Sequence, residues 1–222
     1  MANEDEQPLE LFDPEPRWPA LIAVLAVGGL YAALPASLTV GPRWLFPLVI
    51  LALVIPTFIS YKADKHGLNA VLGFMVESIL TVALILCLIQ LVRALPAHKE
   101  EPLALLLSAA SLWITNILVF ALWYWRLDAG GPHRRDKRAG HRSGAILFPQ
   151  MTMSEQAISE NGQQDWSPNF VDYLFFSFNT STAFSPTDAP VLTRWVKLLM
   201  MLQSLLSLTI IALLAARAVN IL

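Results

Sequence analysis

The chain has a single cysteine, Cys87, among its 222 residues, so it has no intramolecular disulfide with which to staple a small core. That thiol sits in an apolar run, where it reads as packing. Charge is scarce as well: 14% of the residues are charged against 55% hydrophobic, with mean hydropathy +0.54, which excludes an ordinary soluble domain. The net charge of −2 averages two unlike regions. Six acids and Arg17 precede residue 18, while twelve charged residues crowd positions 126–172, and the stretches between them are nearly charge-free. Also missing are a P-loop, a dinucleotide fingerprint, an HExxH helix and a nucleophile elbow. Nothing therefore points to an enzyme, a cofactor or a nucleic-acid partner.

What is present is a series of apolar runs. About 20 such residues are needed to cross roughly 30 Å of hydrocarbon as a helix. Five runs qualify: Trp18–Ala36, Trp44–Tyr61, Asn69–Arg93, Leu103–Trp125, and Val191 to the C-terminus. Trp18, Trp44, Trp123, Trp125 and Trp195 stand at their ends, where amphipathic rings prefer the headgroup layer. The acidic residues before Trp18 are unlike the basic start of a secretory signal, so the first run is expected to be retained as a span.

The segment 127–167 is too long for a mere connector. Its basic half carries Arg134, Arg135, Lys137, Arg138 and Arg142, expected to set topology or to meet anionic lipid headgroups. His133 and His141 have no acids or cysteines at ligand spacing, so they are read as part of a solvated basic loop.

After Trp166 comes SPNFVDYLFFSFNTSTAFSPTDAP. Ser167 and Pro168 form an N-cap followed by proline, and the apolar part, Phe170–Phe184, ends at Ser185 and Pro186. About 15 residues make roughly 22 Å of helix, too short to span. A short helix between two spans is expected to be re-entrant, with its non-helical backbone buried in protein or beside water. Asn179, Thr180, Ser181 and Thr182 would lie at its C-terminal end, where the macrodipole is negative and attracts cations.

Span, short helix, TSTAFSPTD and a long last span together resemble the two-helix pore module of potassium channels. The family's filter pattern, T-x-T-T-V-G-Y-G-D, falls without gaps on Thr180–Asp188: Thr180, Thr182 and Asp188 match, whereas Ser185 and Thr187 replace the two glycines and Pro186 the tyrosine. The five-span layout is also similar to that of a group of uncharacterised bacterial membrane proteins, which implies a bacterial inner membrane. The apolar runs lead to the expectation of an integral all-α protein of five spans and one re-entrant helix, and the resemblance, over about residues 103–222, implies that this helix is of the pore type. Its parts would be an acidic tail (1–17), a three-span unit (18–93) and a pore-like unit (103–222). The pore-like unit would comprise a span (103–126), the basic loop (127–167), the re-entrant helix (168–184), a filter-like turn (185–190) and the last span (191–222). It further implies a homotetramer passing monovalent cations.

A conventional potassium filter does not fit these residues. Inward-facing carbonyls demand backbone conformations that cost non-glycine residues about 1–2 kcal/mol each, repeated around a tetramer. In its place, Thr180, Thr182, Ser185, Thr187 and Asp188 would form a wider ring of hydroxyls and carboxylates for partly hydrated cations. The alternatives are a plain turn, with Thr187 or Asp188 capping the last span, and a non-conducting scaffold that keeps the pore-module fold. No span carries arginines at three-residue intervals, so no voltage sensor is expected.

Glu77 is the one ionisable residue well inside a run, and a charge at the bilayer centre costs about 3 kcal/mol or more. Asn116 and Gln203 are its expected partners, in a packing hydrogen bond or in proton-coupled ion binding. With the short helix re-entrant, 11 basic residues fall on one side and 4 on the other, which puts the N-terminus and the long loop in the cytoplasm. The channel resemblance implies the opposite orientation.

Overall fold

A computed structural model describes residues 15–97, 101–137, 144–164, 166–183 and 189–221, with side chains described except at 95–97 and 217–221. The described residues are helical, with one isolated bridge between Ile146 and Val191 and no strand. The long helices are α1 (Trp18–Ala33), α2 (Leu45–Lys62), α3 (His66–Ala97) and α4 (Pro102–Leu127). Two short helices, α5 (Pro132–Arg135) and α6 (Glu155–Glu160), lie in the loop that leads to α7 (Phe170–Ala183) and α8 (Arg194–Ile221).

Four helical stretches are long and apolar enough to cross a membrane: Leu45–Lys62, His66–Ala94, Pro102–Arg135 and Arg194–Ala216. The first run, expected as a fifth span to Ala36, forms a helix of only 16 residues, about 24 Å long. Its end has a local cause. Leu34 precedes Pro35 and is extended, at φ −66° and ψ 149°, because the proline ring excludes the helical region for the residue before it. In α2, Pro56 stays inside the helix. Thr57 Oγ1 donates to Leu53 O (2.7 Å), and Asn69 Nδ2 of α3 donates to Thr57 O (2.8 Å), so side chains serve backbone oxygens around the proline and tie the two helices together.

Helix α4 is the shared wall of the bundle: α1 and α3 pack on it, and so do α7 and α8. Its buried positions begin on one stripe, Leu105, Ser108, Ala109 and Leu112, and widen to nearly every residue from Thr115 to Trp125. A helix covered all round must be apolar all round or carry partnered polar groups. The second half of α4 has both kinds.

Contacts gather many chain segments at one end of the bundle, called here the loop end. Glu15 N donates to Asp136 Oδ1 (3.1 Å), Arg17 lies over the Tyr61 ring (5.9 Å), and the His66 and His133 rings stack at 3.2 Å. The start of α1, the α2–α3 turn, the end of α4 and α5 therefore share this end. Pro190 O and Ala145 O accept from Leu147 N and Leu192 N (both 2.9 Å), which brings the chain before α8 to the same place.

Candidate functional site

Helix α7 starts two residues later than its sequence suggested. Ser167 and Pro168 precede it outside any helix, and Asn169 is the cap: its Oδ1 accepts from Val171 N, while Asp172 Oδ2 accepts from Asn169 N, both at 2.8 Å. This reciprocal box satisfies two orphan donors, which a serine followed by proline does not. Burial raises the Asp172 carboxyl above the ordinary carboxylate range, and the Asn169 N–H partly offsets this.

The course of α7 follows from its partners. Near its start, Tyr173 OH donates to Asp128 Oδ2 (2.8 Å) just beyond α4, and Phe170 meets Trp125 edge to face. Farther on, Ser177 Oγ donates to Ile117 O (2.7 Å), and Ser181 lies against Asn116 (3.3 Å). Thus α7 runs antiparallel to α4 and ends about halfway along it. Its 14 residues cover about 21 Å. The chain returns at 189–192 to the Ala145–Leu147 segment, whose Ala145 and Ile146 N–H groups are held by Asp128 Oδ1. Asp128 therefore anchors both ends of the excursion.

At mid-depth α7 is held by neutral polar groups of α8. Gln203 is fully buried. Its Nε2 donates to Ser177 O, Ser177 Oγ and Ser181 Oγ (2.8, 2.7 and 2.8 Å), and its Oε1 accepts from Tyr124 OH (2.8 Å). Ser207 Oγ donates to Ser181 O (2.7 Å), and Ser204 Oγ reaches Thr180 O (3.5 Å). These are carbonyls of the last turn, which no intrahelical N–H can serve. Ser207 lies one turn beyond both Gln203 and Ser204, at i+4 and i+3, so the three line the side of α8 that meets α7.

The loop end is held by charge. Arg135, expected at lipid headgroups, is instead buried: it donates to Trp125 O (2.7 Å), Asp128 O (3.0 Å) and Glu15 Oε2 (3.0 Å). The turn Asp128–Gly131 aims it inward through three successive left-handed residues, Ala129, Gly130 and Gly131, at φ 53°, 82° and 92°. A Cβ at Gly131 would lie 2.8 Å from Arg126 O, so glycine is required there on two counts. Arg17 pairs with Glu15 (3.0 Å) and with Asp136. Burial holds the Tyr173 phenol well above its ordinary pKa, so it remains a donor to Asp128.

Glu77 is buried, 1% exposed, and its partner is Arg126, through Nε to Oε1, rather than Asn116 or Gln203. The correction is geometric. Asn116 and Gln203 face α7 on the other side of α4, whereas Arg126 extends from the end of α4 across α3. It lies on Gly73, where a Cβ would stand 2.0 Å from the guanidinium carbon, so a side chain there would displace the arginine.

Of the other residues singled out in the sequence, Thr180 is buried and donates to Phe176 O (2.9 Å), while Thr182 is exposed and donates to Phe178 O (3.0 Å). Ser185, Thr187 and Asp188 lie outside the described residues, as do Arg138, His141 and Arg142. Arg134 and Lys137 are exposed. Sequence reasoning missed the clustering role of Gln203, Ser204 and Ser207, although a glutamine with two serines on one face of an otherwise apolar span was a visible signal. It missed Asp128 altogether, whose partners are far apart in sequence. No protein family, no curated protein and no solved structure matches the chain.

Proposed function

We propose that the chain is a cation-channel-like pore-loop membrane protein, re-entrant at α7, that assembles as a homotetramer around the residues following α7. The observation that carries this reading is the course of α7, which ends about halfway along α4 before the chain returns to the loop end. In a bilayer, non-helical backbone at that depth needs protein or a water-filled cavity around it. Neighbouring copies around an axis would supply both. The exposed stripe of Val171, Phe175, Phe178 and Thr182 on α7, and that of Leu198, Met201 and Leu205 on α8, are the faces left for those neighbours or for lipid. The negative end of the α7 dipole favours cations there. Ser185, Thr187 and Asp188 would complete a ring suited to partly hydrated monovalent cations, unlike a potassium-selective filter. The 11 to 4 basic bias supports a cytoplasmic loop end, the reverse of the orientation the potassium-channel resemblance implies, and exposed Arg134 and Lys137 would meet anionic headgroups of a bacterial inner membrane there.

The test is flux of potassium, sodium and protons into liposomes containing the purified full-length protein, with Asp188→Asn as the comparison and the oligomeric state measured in the same preparation. A tetramer with cation flux that falls in Asp188→Asn is the expected result. A monomer or dimer that moves no ion under any gradient overturns it and leaves a non-conducting scaffold.

A further inference from the structure

Among the loop-end halves of α1 to α4 lies a cavity of about 240 Å³. Val24, Val54, Val76 and Leu122 make its apolar wall, and toward the loop end the lining changes to Arg17, Tyr61, His66, Arg126 and His133. Among the described residues no carboxylate lines it. Glu15, Asp136 and Glu77, which pair with the two arginines, stand outside the lining.

Two guanidiniums share one aromatic ring, and Arg17 gives its terminal nitrogens to Glu15 and Asp136. Arg17 and Arg126 lie over the ring of Trp125, their guanidinium carbons 5.6 and 5.5 Å from its centroid. Arg126 uses Nε for Glu77, and among the described residues no hydrogen bond engages its two terminal nitrogens. A guanidinium with free terminal N–H groups, fixed in place by packing, is the donor pattern that phosphate and carboxylate oxygens bind. The Glu77 pair holds it, and Gly73 leaves the space in which the guanidinium lies.

The opening of the cavity indicates which anion enters. Trp18 and Phe58 line it and are 63% and 51% exposed, so it is open sideways between α1 and α2. Trp18 is the first residue of α1, the position at which tryptophan favours the headgroup layer in helices that enter a bilayer. The volume is below the usual range for small-molecule sites, roughly 300–1,000 Å³, and suits one hydrocarbon chain better than a whole lipid.

We infer that this cavity binds an anionic phospholipid, with its phosphate on the terminal nitrogens of Arg126 beside the Arg17 end of the cavity, one acyl chain among α1, α2 and α3, and the other chain left in the bilayer beyond Trp18 and Phe58. The site is separate from the α7 region and stands whether or not the protein conducts.

The full-length protein, purified in detergent and stripped of lipid, would be titrated with dioleoyl phosphatidylglycerol, dioleoyl phosphatidylcholine and oleate, with bound molecules counted by native mass spectrometry. A phosphatidylglycerol carrying a diazirine in one acyl chain would map the contact. The expected result is one phosphatidylglycerol per chain, bound about ten-fold more tightly than phosphatidylcholine, with crosslinks within 18–24, 54–61 or 66–76. Ala70→Trp, which fills the cavity, should lower binding and crosslinking about ten-fold. Glu77→Gln with Arg126→Gln, which removes the charges together, should abolish the preference for phosphatidylglycerol. Equal binding of both phospholipids, binding of oleate in place of phosphatidylglycerol, or crosslinks elsewhere would overturn the inference. Should Ala70→Trp not fold, the double variant and the crosslink map decide.

Discussion

The two sides of α4 are held by different chemistry. Toward α7 and α8, at mid-depth, the polar groups are neutral: Gln203, Asn116, Tyr124 and a row of serines. Toward the loop end they are ionic: Glu15, Arg17, Arg135, Asp136, and the Glu77–Arg126 pair. Depth accounts for the difference. An amide or hydroxyl buried far from the loop end costs little once it is hydrogen-bonded, whereas an ion is costly wherever water is out of reach. Glu77 is the exception, lying about three turns into α3, and it is reached only because the long Arg126 side chain extends to it from the end of α4.

This contrast can be broken most severely at the exception. Arg126→Ala leaves Glu77 buried and unpaired, and about 3–5 kcal/mol of stability should be lost, measured by unfolding in detergent. Replacing both partners together, Glu77→Gln with Arg126→Gln, should restore most of that loss. If the double variant is as unstable as the single one, Arg126 acts through packing alone. Gln203→Leu comes next. Interhelical hydrogen bonds in membranes average about 0.6 kcal/mol each, so removing this group should cost roughly 2 kcal/mol. The same variant should increase protease sensitivity around 184–188, and its effect should not depend on salt.

A smaller effect separates the two networks by screening. Arg17→Gln should cost about 1 kcal/mol at low ionic strength and less in 1 M salt, because Arg17 and its partner Asp136 keep 17% and 16% of their side chains exposed. A salt-independent loss would mean that the loop end is as dry as the Gln203 cluster. The smallest change has the opposite sign. Ala129→Gly removes a left-handed alanine and should stabilise the turn by up to about 1 kcal/mol, offset in part by the freedom glycine gains when unfolded.

Several of these features were legible in the sequence and several were not, for identifiable reasons. The shortness of α7 was legible because its length is set between breakers. Its cap was misplaced by two residues because Ser–Pro and Asn169 with Asp172 both satisfy a start signal, and only the hydrogen bonds choose between them. The first span was read as too long, although Pro35 already marked where Leu34 must leave the helix. Arg135 was read as a surface charge because a basic cluster in a loop is ordinarily solvated. Its burial follows from a turn of three left-handed residues and from Glu15, more than a hundred positions away. The choice of Arg126 as the partner of Glu77 likewise depended on which side of α4 each residue faces.

The sequence by itself determined the all-helical, strongly apolar class, the approximate limits of the long apolar helices and the shortness of α7, because each depends on local composition and on the spacing of helix breakers. Only the tertiary structure decided which polar groups meet: that Gln203 serves α7, that Asp128 anchors both ends of its excursion, and that Arg126 lies on Gly73 to reach Glu77. Those pairings depend on helix rotation and on contacts between residues far apart in the chain, which hydropathy does not encode.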